Sequence, residues 1–166
     1  MAKQLLIIRH AKSEWGDFNI KDFNRPLNGR GHKNAPEMAS RLLSKNLIPQ
    51  QIVSSPALRA ITTAEYFAKT FGINSTDIIK EPEVYDALPF SLLDIINNFD
   101  DSKNFIALVG HNPGLTNLVN LYCDTSIQNI PTCGMALIHF PFDSWKMLSR
   151  GTGDLLLFDY PKNTES

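Results

Sequence analysis

Two imidazoles and two guanidiniums stand out by where they fall in the chain. Arg9 and His10 close a short apolar run, Leu5-Leu6-Ile7-Ile8. Ser54 and Ser55 close a second, Gln51-Ile52-Val53, and Arg59 follows in the first turn of the helix expected next. His111 closes a third, Phe105–Val109. A lone His is more often packed or solvated than chemical, and a lone Arg is usually a weak surface ion pair. Grouped on one rim, two guanidiniums beside two imidazoles repel one another unless an anion sits among them. The planar fork of Arg suits bidentate contact with phosphate. Backbone N–H groups after His111, at a helix start marked by Pro113, add partial positive charge. A neutral imidazole is a nucleophile near pH 7 and carries a phosphoryl group covalently. Phosphoryl transfer asks for in-line positioning and for charge against three equatorial oxygens. Two Arg and a second His supply that charge without a metal.

The rim exists only if these runs are neighbouring strands. Lys3–Arg9 reads as a buried strand, Gln51–Val53 as a brief one, Ile78–Lys80 as a third and Phe105–Val109 as a fourth. Between them, Asn34-Ala35-Pro36-Glu37 looks like a helix start, with Asn34 as cap and Pro36 in the first turn. Ser55-Pro56 offers the next start. Ala57, Ile61, Ala64, Ala68 and Phe71 then recur at helical spacing, and Gly72 ends the run. Pro89 and Pro113 open two more helices. Asp17–Gly31 reads as loop. Gly134–Phe140 and Asp154–Phe158 read as closing strands, with Trp145–Leu148 a candidate hairpin partner across Gly151-Thr152-Gly153. Strand and helix alternate, so the expected fold class is α/β: a three-layer α/β/α sandwich around a mostly parallel central sheet with an antiparallel edge. Ligands in such sheets bind at the carboxyl ends of the strands.

Composition narrows the function. The 166 residues carry 16 basic and 17 acidic side chains, a net charge of −1, and 43% are hydrophobic. One domain is expected over residues 1–162, without a lid insertion, followed by a frayed polar tail at 163–166. No basic run suggests nucleic acid, and no apolar run approaches the roughly 20 residues of a membrane span. The expectation is a cytoplasmic protein with no nucleic-acid or membrane partner. Cys123 and Cys133 read as two ordinary thiols. His-Glu-x-x-His and compact His/Asp clusters are absent from the sequence, so a metal site is not expected. A P-loop pattern is absent too.

Four segments in order resemble the histidine phosphatase superfamily, which includes the cofactor-dependent phosphoglycerate mutases. They are Arg9-His10-Ala11-Lys12-Ser13, Arg25-Pro26-Leu27-Asn28-Gly29-Arg30-Gly31, Ser54-Ser55-Pro56-Ala57-Leu58-Arg59 with Thr62-Thr63-Ala64, and Gly110-His111-Asn112-Pro113-Gly114. The details are similar to the small SixA-like phosphohistidine phosphatase branch. The resemblance implies a phosphoglycerate mutase-like fold and His10 as nucleophile. It implies that Arg9, Arg59 and His111 bind phosphate, that Ser13 turns a hydroxyl toward it, and that no cofactor is needed. The usual motif has Gly where this chain has Ala11. If that position needs a positive φ, Ala11 is strained.

The leaving group separates the substrates. An alkoxide needs a proton donor, and the candidates lie between Glu81 and Asp86, with Asp86 the best placed. The imidazole of a phosphohistidine is a weaker base and needs less help. A small chain without an evident acid therefore fits phosphohistidine on proteins, with a histidine-phosphorylated signalling protein as partner. The alternatives are a broad small-molecule phosphomonoesterase and a phosphate-binding module without turnover. His32 reads as solvated, His139 as a half-exposed strand residue, and Trp15 and Phe18 as core rather than as a sticky wall at the pocket mouth.

Overall fold

A computed structural model describes residues 1–163. Strands β1 (Lys3–Arg9), β2 (Gln51–Ser54), β3 (Ile79–Lys80), β4 (Phe105–Gly110), β5 (Met135–Phe140) and β6 (Asp154–Asp159) form a six-stranded sheet in the order β3-β2-β4-β1-β5-β6. Strands β1 to β4 run parallel, β5 runs against β1, and β6 pairs antiparallel with β5. Helices α1 (Gly29–Ser44) and α2 (Leu58–Phe71) cover one face, and α3 (Pro89–Asn97) and α4 (Gly114–Cys123) the other. This is the expected three-layer sandwich with an antiparallel edge.

The unbroken apolar run in β1 follows from its central place. Leu6 and Ile8 pack with α1 and α2, while Leu5 and Ile7 pack with the α3–α4 side. A strand buried on both faces has no polar face to show. β4 divides in the same way, with Ala107 and Val109 on one side and Ile106 and Leu108 on the other.

Three local expectations are corrected. Helix α1 starts five residues before Asn34. The Asn28 side chain caps it by accepting from the Gly31 amide at 2.9 Å, and Pro36 lies inside the helix. The two glycines in the cap obscure that start in the sequence, while Pro36 offers a misleading one. Helix α2 begins at Leu58 rather than at Pro56, and the Ser55 hydroxyl accepts from the Ala57 amide just ahead of it. Trp145–Leu148 is not a hairpin strand: Trp145–Met147 forms a 3-10 turn. The Trp145 ring is fully buried and its indole N–H donates to the Lys103 carbonyl, which holds the segment as a plug beside α3. Gly72 does end α2, with φ of +74°.

Of the tail expected at 163–166, residues 164–166 lie outside the described part. Asn163 is tied in: its carbonyl accepts from Arg41, which also reaches Asp159, Tyr160 and Pro161. No helix among the described residues is long and apolar enough to cross a membrane.

Candidate active site

Sheet register builds the site. β1 and β4 are parallel neighbours with Arg9 opposite Gly110, so one step beyond the strand ends His10 and His111 come side by side. Their ring centroids are 5.2 Å apart. β2 flanks β4 with Ser54 opposite Val109. Ser55 therefore reaches His111, its hydroxyl oxygen 2.8 Å from Nε2. Arg59 follows in the first turn of α2. On the other side the chain enters β5 through Ile130–Gly134. The Cys133 amide donates to the His10 carbonyl, and the Arg9 amide donates to the Gly134 carbonyl.

Arg9, His10, Ser13, Arg59 and His111 line one open cavity of about 250 Å³. His10 and Arg59 are buried within its wall. Three nitrogens in this set are buried and lack a protein partner: Arg9 Nε, Arg59 Nε and His111 Nδ1. Buried polar groups are normally paired, and the two guanidinium Nε–H groups are donors that the protein itself leaves unsatisfied. A larger groove of about 400 Å³ lies against β3, but it is lined by Glu81, Glu83, Asp94 and Asp100 and offers an anion no cation. Among the described residues no group of three or more His, Cys, Asp or Glu is arranged to hold a metal ion.

The His10 ring is held in one tautomer. Nδ1 lies 2.7 Å from the Ala11 carbonyl oxygen. A carbonyl only accepts, so Nδ1 carries the hydrogen and Nε2 keeps the lone pair. Burial, reinforced by charge from His111, Arg59 and Arg9, lowers the His10 pKa to about 3 against the opposing pull of the Ala11 bond. Burial and Arg59 lower His111 to about 4. Both rings are neutral at pH 7. Ala11 is fully buried, and its φ is not in the left-handed region. The Ala-for-Gly change therefore brings no backbone strain. Its amide donates to Thr63 Oγ1, and that hydroxyl donates to the Arg59 carbonyl, which ties the loop after β1 to α2.

One expectation about charge is corrected. Arg59 is not an uncompensated cation. It donates to the Asp22 carboxylate at 3.1 Å and to the Asp22 carbonyl at 2.7 Å. Arg25 also pairs with Asp22, and the Tyr85 hydroxyl donates to it. The Tyr85 bond first, and then the two guanidiniums, hold the Asp22 carboxyl at about 2, while Tyr85 is raised by the same bond. Sequence reading missed Asp22 and Tyr85 as site components, and it placed Arg25 at the head of a motif segment without giving it a role. The Asp22…Arg25 pair at i, i+3 was the one local signal, and Tyr85 had none.

The remaining candidates divide. Ser13 lies in the cavity wall with its hydroxyl oxygen accepting from Arg25 at 2.6 Å, which leaves its own hydrogen to donate. Asp86 lines the cavity with φ of +57°. Trp15 and Phe18 are not core: both are exposed, and the Arg25 guanidinium stacks over the Trp15 ring at 3.8 Å. His32 is exposed against the Tyr66 hydroxyl, and His139 is half-buried in β5. Both thiols are free, with Cys133 buried and pushed up to about 12 by burial.

The chain is similar to known proteins over nearly its whole length. The sequence profile of the histidine phosphatase superfamily (branch 1) matches residues 5–86. An uncharacterized chloroplastic protein of Arabidopsis thaliana is 29% identical over 154 residues, covering 88% of this chain and 70% of that one. The crystal structure of the Agrobacterium tumefaciens protein assigned as phosphohistidine phosphatase SixA superposes with a TM-score of 0.80 at 26% identity, covering 97% of this chain and 99% of that one. A tungstate complex of the protein histidine phosphatase SixA gives a TM-score of 0.76 at 20% identity, covering 98% and 99%, and shows the shared fold. The profile spans three of the four motif-bearing segments, and the SixA-like architecture places the fourth beside them. The chain belongs to the histidine phosphatase superfamily, in its SixA-like branch, and is a phosphatase.

Proposed function

We propose that the protein removes phosphate from phosphohistidine on other proteins, without a metal, through a covalent intermediate on His10. The observation that carries this reading is the His10–Ala11 contact, which leaves the Nε2 lone pair free in a cavity that also holds Arg9, Arg59 and His111. In the first step Nε2 attacks phosphorus and the P–N bond to the substrate imidazole breaks. The substrate ring leaves as neutral imidazole when its other nitrogen already carries a proton. Phospho-His10 keeps its Nδ1–H on the Ala11 carbonyl. In the second step water adds a hydroxyl to phosphorus and releases a proton to solvent, the Nε2–P bond breaks, and neutral His10 and inorganic phosphate result. Arg9, Arg59 and His111 bear the charge on the transferring group, and Ser13 adds a hydroxyl donor.

The carboxylates support a nitrogen leaving group. Asp22, held ionised at about 2 by Tyr85, Arg25 and Arg59, is no proton donor at neutral pH. Among the described residues that leaves Asp86 as the one other carboxylate in the cavity wall. An alkyl phosphate depends on such an acid, whereas a phosphohistidine depends on it less.

The test compares pure protein on a histidine-phosphorylated protein, a sugar phosphate and para-nitrophenyl phosphate in EDTA. Phosphohistidine is expected to turn over fastest, with an acid-labile phosphoenzyme that disappears in His10→Ala. Asp86→Asn is expected to slow an alkyl phosphate at least tenfold and phosphohistidine far less. Faster turnover of sugar phosphates, or loss of activity in EDTA, would refute the proposal.

A further inference from the structure

Tyr85 lies between the 3-10 turn Pro82–Val84 and α3, half-buried, and belongs to neither apolar core. Its contacts are with site residues instead. The ring stands edge-on to His111, with centroids 5.5 Å apart and planes at 79°. It meets Phe23, the neighbour of Asp22, in the same way at 5.3 Å and 87°. The hydroxyl donates to Asp22 Oδ2, the oxygen that also accepts from Arg59. Asp22 Oδ1 accepts from Arg25. Val84, just before Tyr85, packs with the α3–α4 layer, whereas Arg59 belongs to α2 on the opposite layer. The Tyr85–Asp22 bond therefore joins the two layers at the site.

Both contacts fall where the site is otherwise underdetermined. Half of the Asp22 side chain is exposed. Ion pairs at such a surface hold weakly, so two guanidiniums alone leave the carboxylate free to turn toward water. A hydroxyl bond to a charged acceptor is stronger and directional, and it fixes the carboxylate plane that Arg59 meets. His111 is bonded to the protein at Nε2 alone, by Ser55. One bond places an atom of the ring but not its tilt. The rings of His10 and Tyr85, 5.2 Å and 5.5 Å away, set the tilt.

We infer that Tyr85 is a positioning residue with two separable actions: its hydroxyl orients Arg59 through Asp22, and its ring sets the tilt of His111. The inference rests on Arg59 and His111 acting on the phosphoryl group, and it is independent of which phosphate compound is the substrate.

A double-mutant cycle tests both actions on para-nitrophenyl phosphate, with thermal melting as the check on folding. Tyr85→Phe removes the hydroxyl and keeps the ring, and Tyr85→Leu removes both. Each is made in wild type and in Asp22→Ala, which deletes the carboxylate but keeps the backbone carbonyl that Arg59 also reaches. In wild type, Tyr85→Phe is expected to lower kcat/KM by about three- to tenfold, and by no more than Asp22→Ala does. In Asp22→Ala the same change is expected to cost less than about twofold, because its route is already gone. Tyr85→Leu is expected to cost about threefold more than Tyr85→Phe, to the same extent in both backgrounds. Where Tyr85→Leu melts too low to assay, Tyr85→Met tests the ring in its place. An equal Tyr85→Phe loss in both backgrounds, the mark of a merely structural role, overturns the hydroxyl action, as does no loss in wild type. Tyr85→Leu activity equal to that of Tyr85→Phe overturns the ring action. If Arg59→Ala and His111→Gln both keep wild-type kcat/KM, the reading of the site itself has failed and the role of Tyr85 falls with it.

Discussion

Arg59 and Asp22 are joined twice, through the Asp22 carboxylate at 3.1 Å and through its backbone carbonyl at 2.7 Å. The partners are far apart in sequence and come from α2 and the loop after β1. Both terminal nitrogens of Arg59 are engaged, which fixes the guanidinium plane, and Nε stays buried without a protein partner. Asp22 is a positioning residue for Arg59. Asp22→Asn is expected to raise KM for para-nitrophenyl phosphate and to lower kcat/KM by about tenfold. Arg59→Ala is expected to cost about 10²–10³-fold, the usual cost of losing one donor that meets charge in the transition state. Steady-state kinetics on the two variants decides this, and an Asp22→Asn enzyme with wild-type KM counts against the positioning role.

Activity should persist to unusually low pH. A free His takes its proton near 6.5, but His10 and His111 remain neutral until about 3 and about 4 because burial and nearby guanidiniums oppose a further positive charge. The attacking form of His10 is therefore present across the whole neutral and mildly acidic range. After correction for the substrate's own ionisation, kcat/KM on para-nitrophenyl phosphate is expected to stay level down to about pH 5. An acid limb centred near 6.5 would contradict this.

Stability runs the other way over the same range. Below about 6.5 the unfolded chain protonates His10 and His111 while the folded chain does not. The unfolded state then binds more protons, so stability falls as pH drops from about 6.5 toward 4. Asp22 acts lower: its carboxylate adds stability above the ordinary range near 3.9, which is lost as pH falls through about 2. Thermal melts should show Tm declining between pH 6.5 and 4, with a smaller decline in His111→Gln. A level Tm across that window would show that the rings are not buried neutral.

Gly31 controls how closely α1 approaches the loop after β1. A Cβ there would stand 2.1 Å from the Lys12 carbonyl oxygen, a backbone atom held in place by the Asn28 amide. Helix propensity alone would make Gly31→Ala stabilising by about 1 kcal/mol. The clash reverses the sign, and overpacking of this kind costs about 1–3 kcal/mol. Gly31→Ala is expected to melt several degrees lower and to lose activity, because Lys12 and Ser13 line the cavity. A raised Tm would mean that the loop yields freely.

Local reading failed where distant contacts overrode local signals. Pro36 suggested a helix start, but Asn28 had already capped α1 through Gly31. Trp145 suggested a strand, but a buried slot and the Lys103 carbonyl took its ring. Trp15 and Phe18 read as core by their apolarity, yet both are exposed, and Trp15 lines the cavity. Residue type alone does not report which large apolar groups a fold leaves outside.

Leu5-Leu6-Ile7-Ile8 determined a strand buried on both faces, because no polar side chain interrupts it. The motifs at the ends of such runs determined that His10, Arg59 and His111 would meet, since parallel strands bring their carboxyl ends to one rim. Charge balance at that rim was decided only in three dimensions. Asp22 lies far from Arg59 along the chain, and Tyr85 comes from beyond a further strand. Sequence spacing carries local periodicity; which carboxylate faces which guanidinium depends on how a loop folds over the finished sheet.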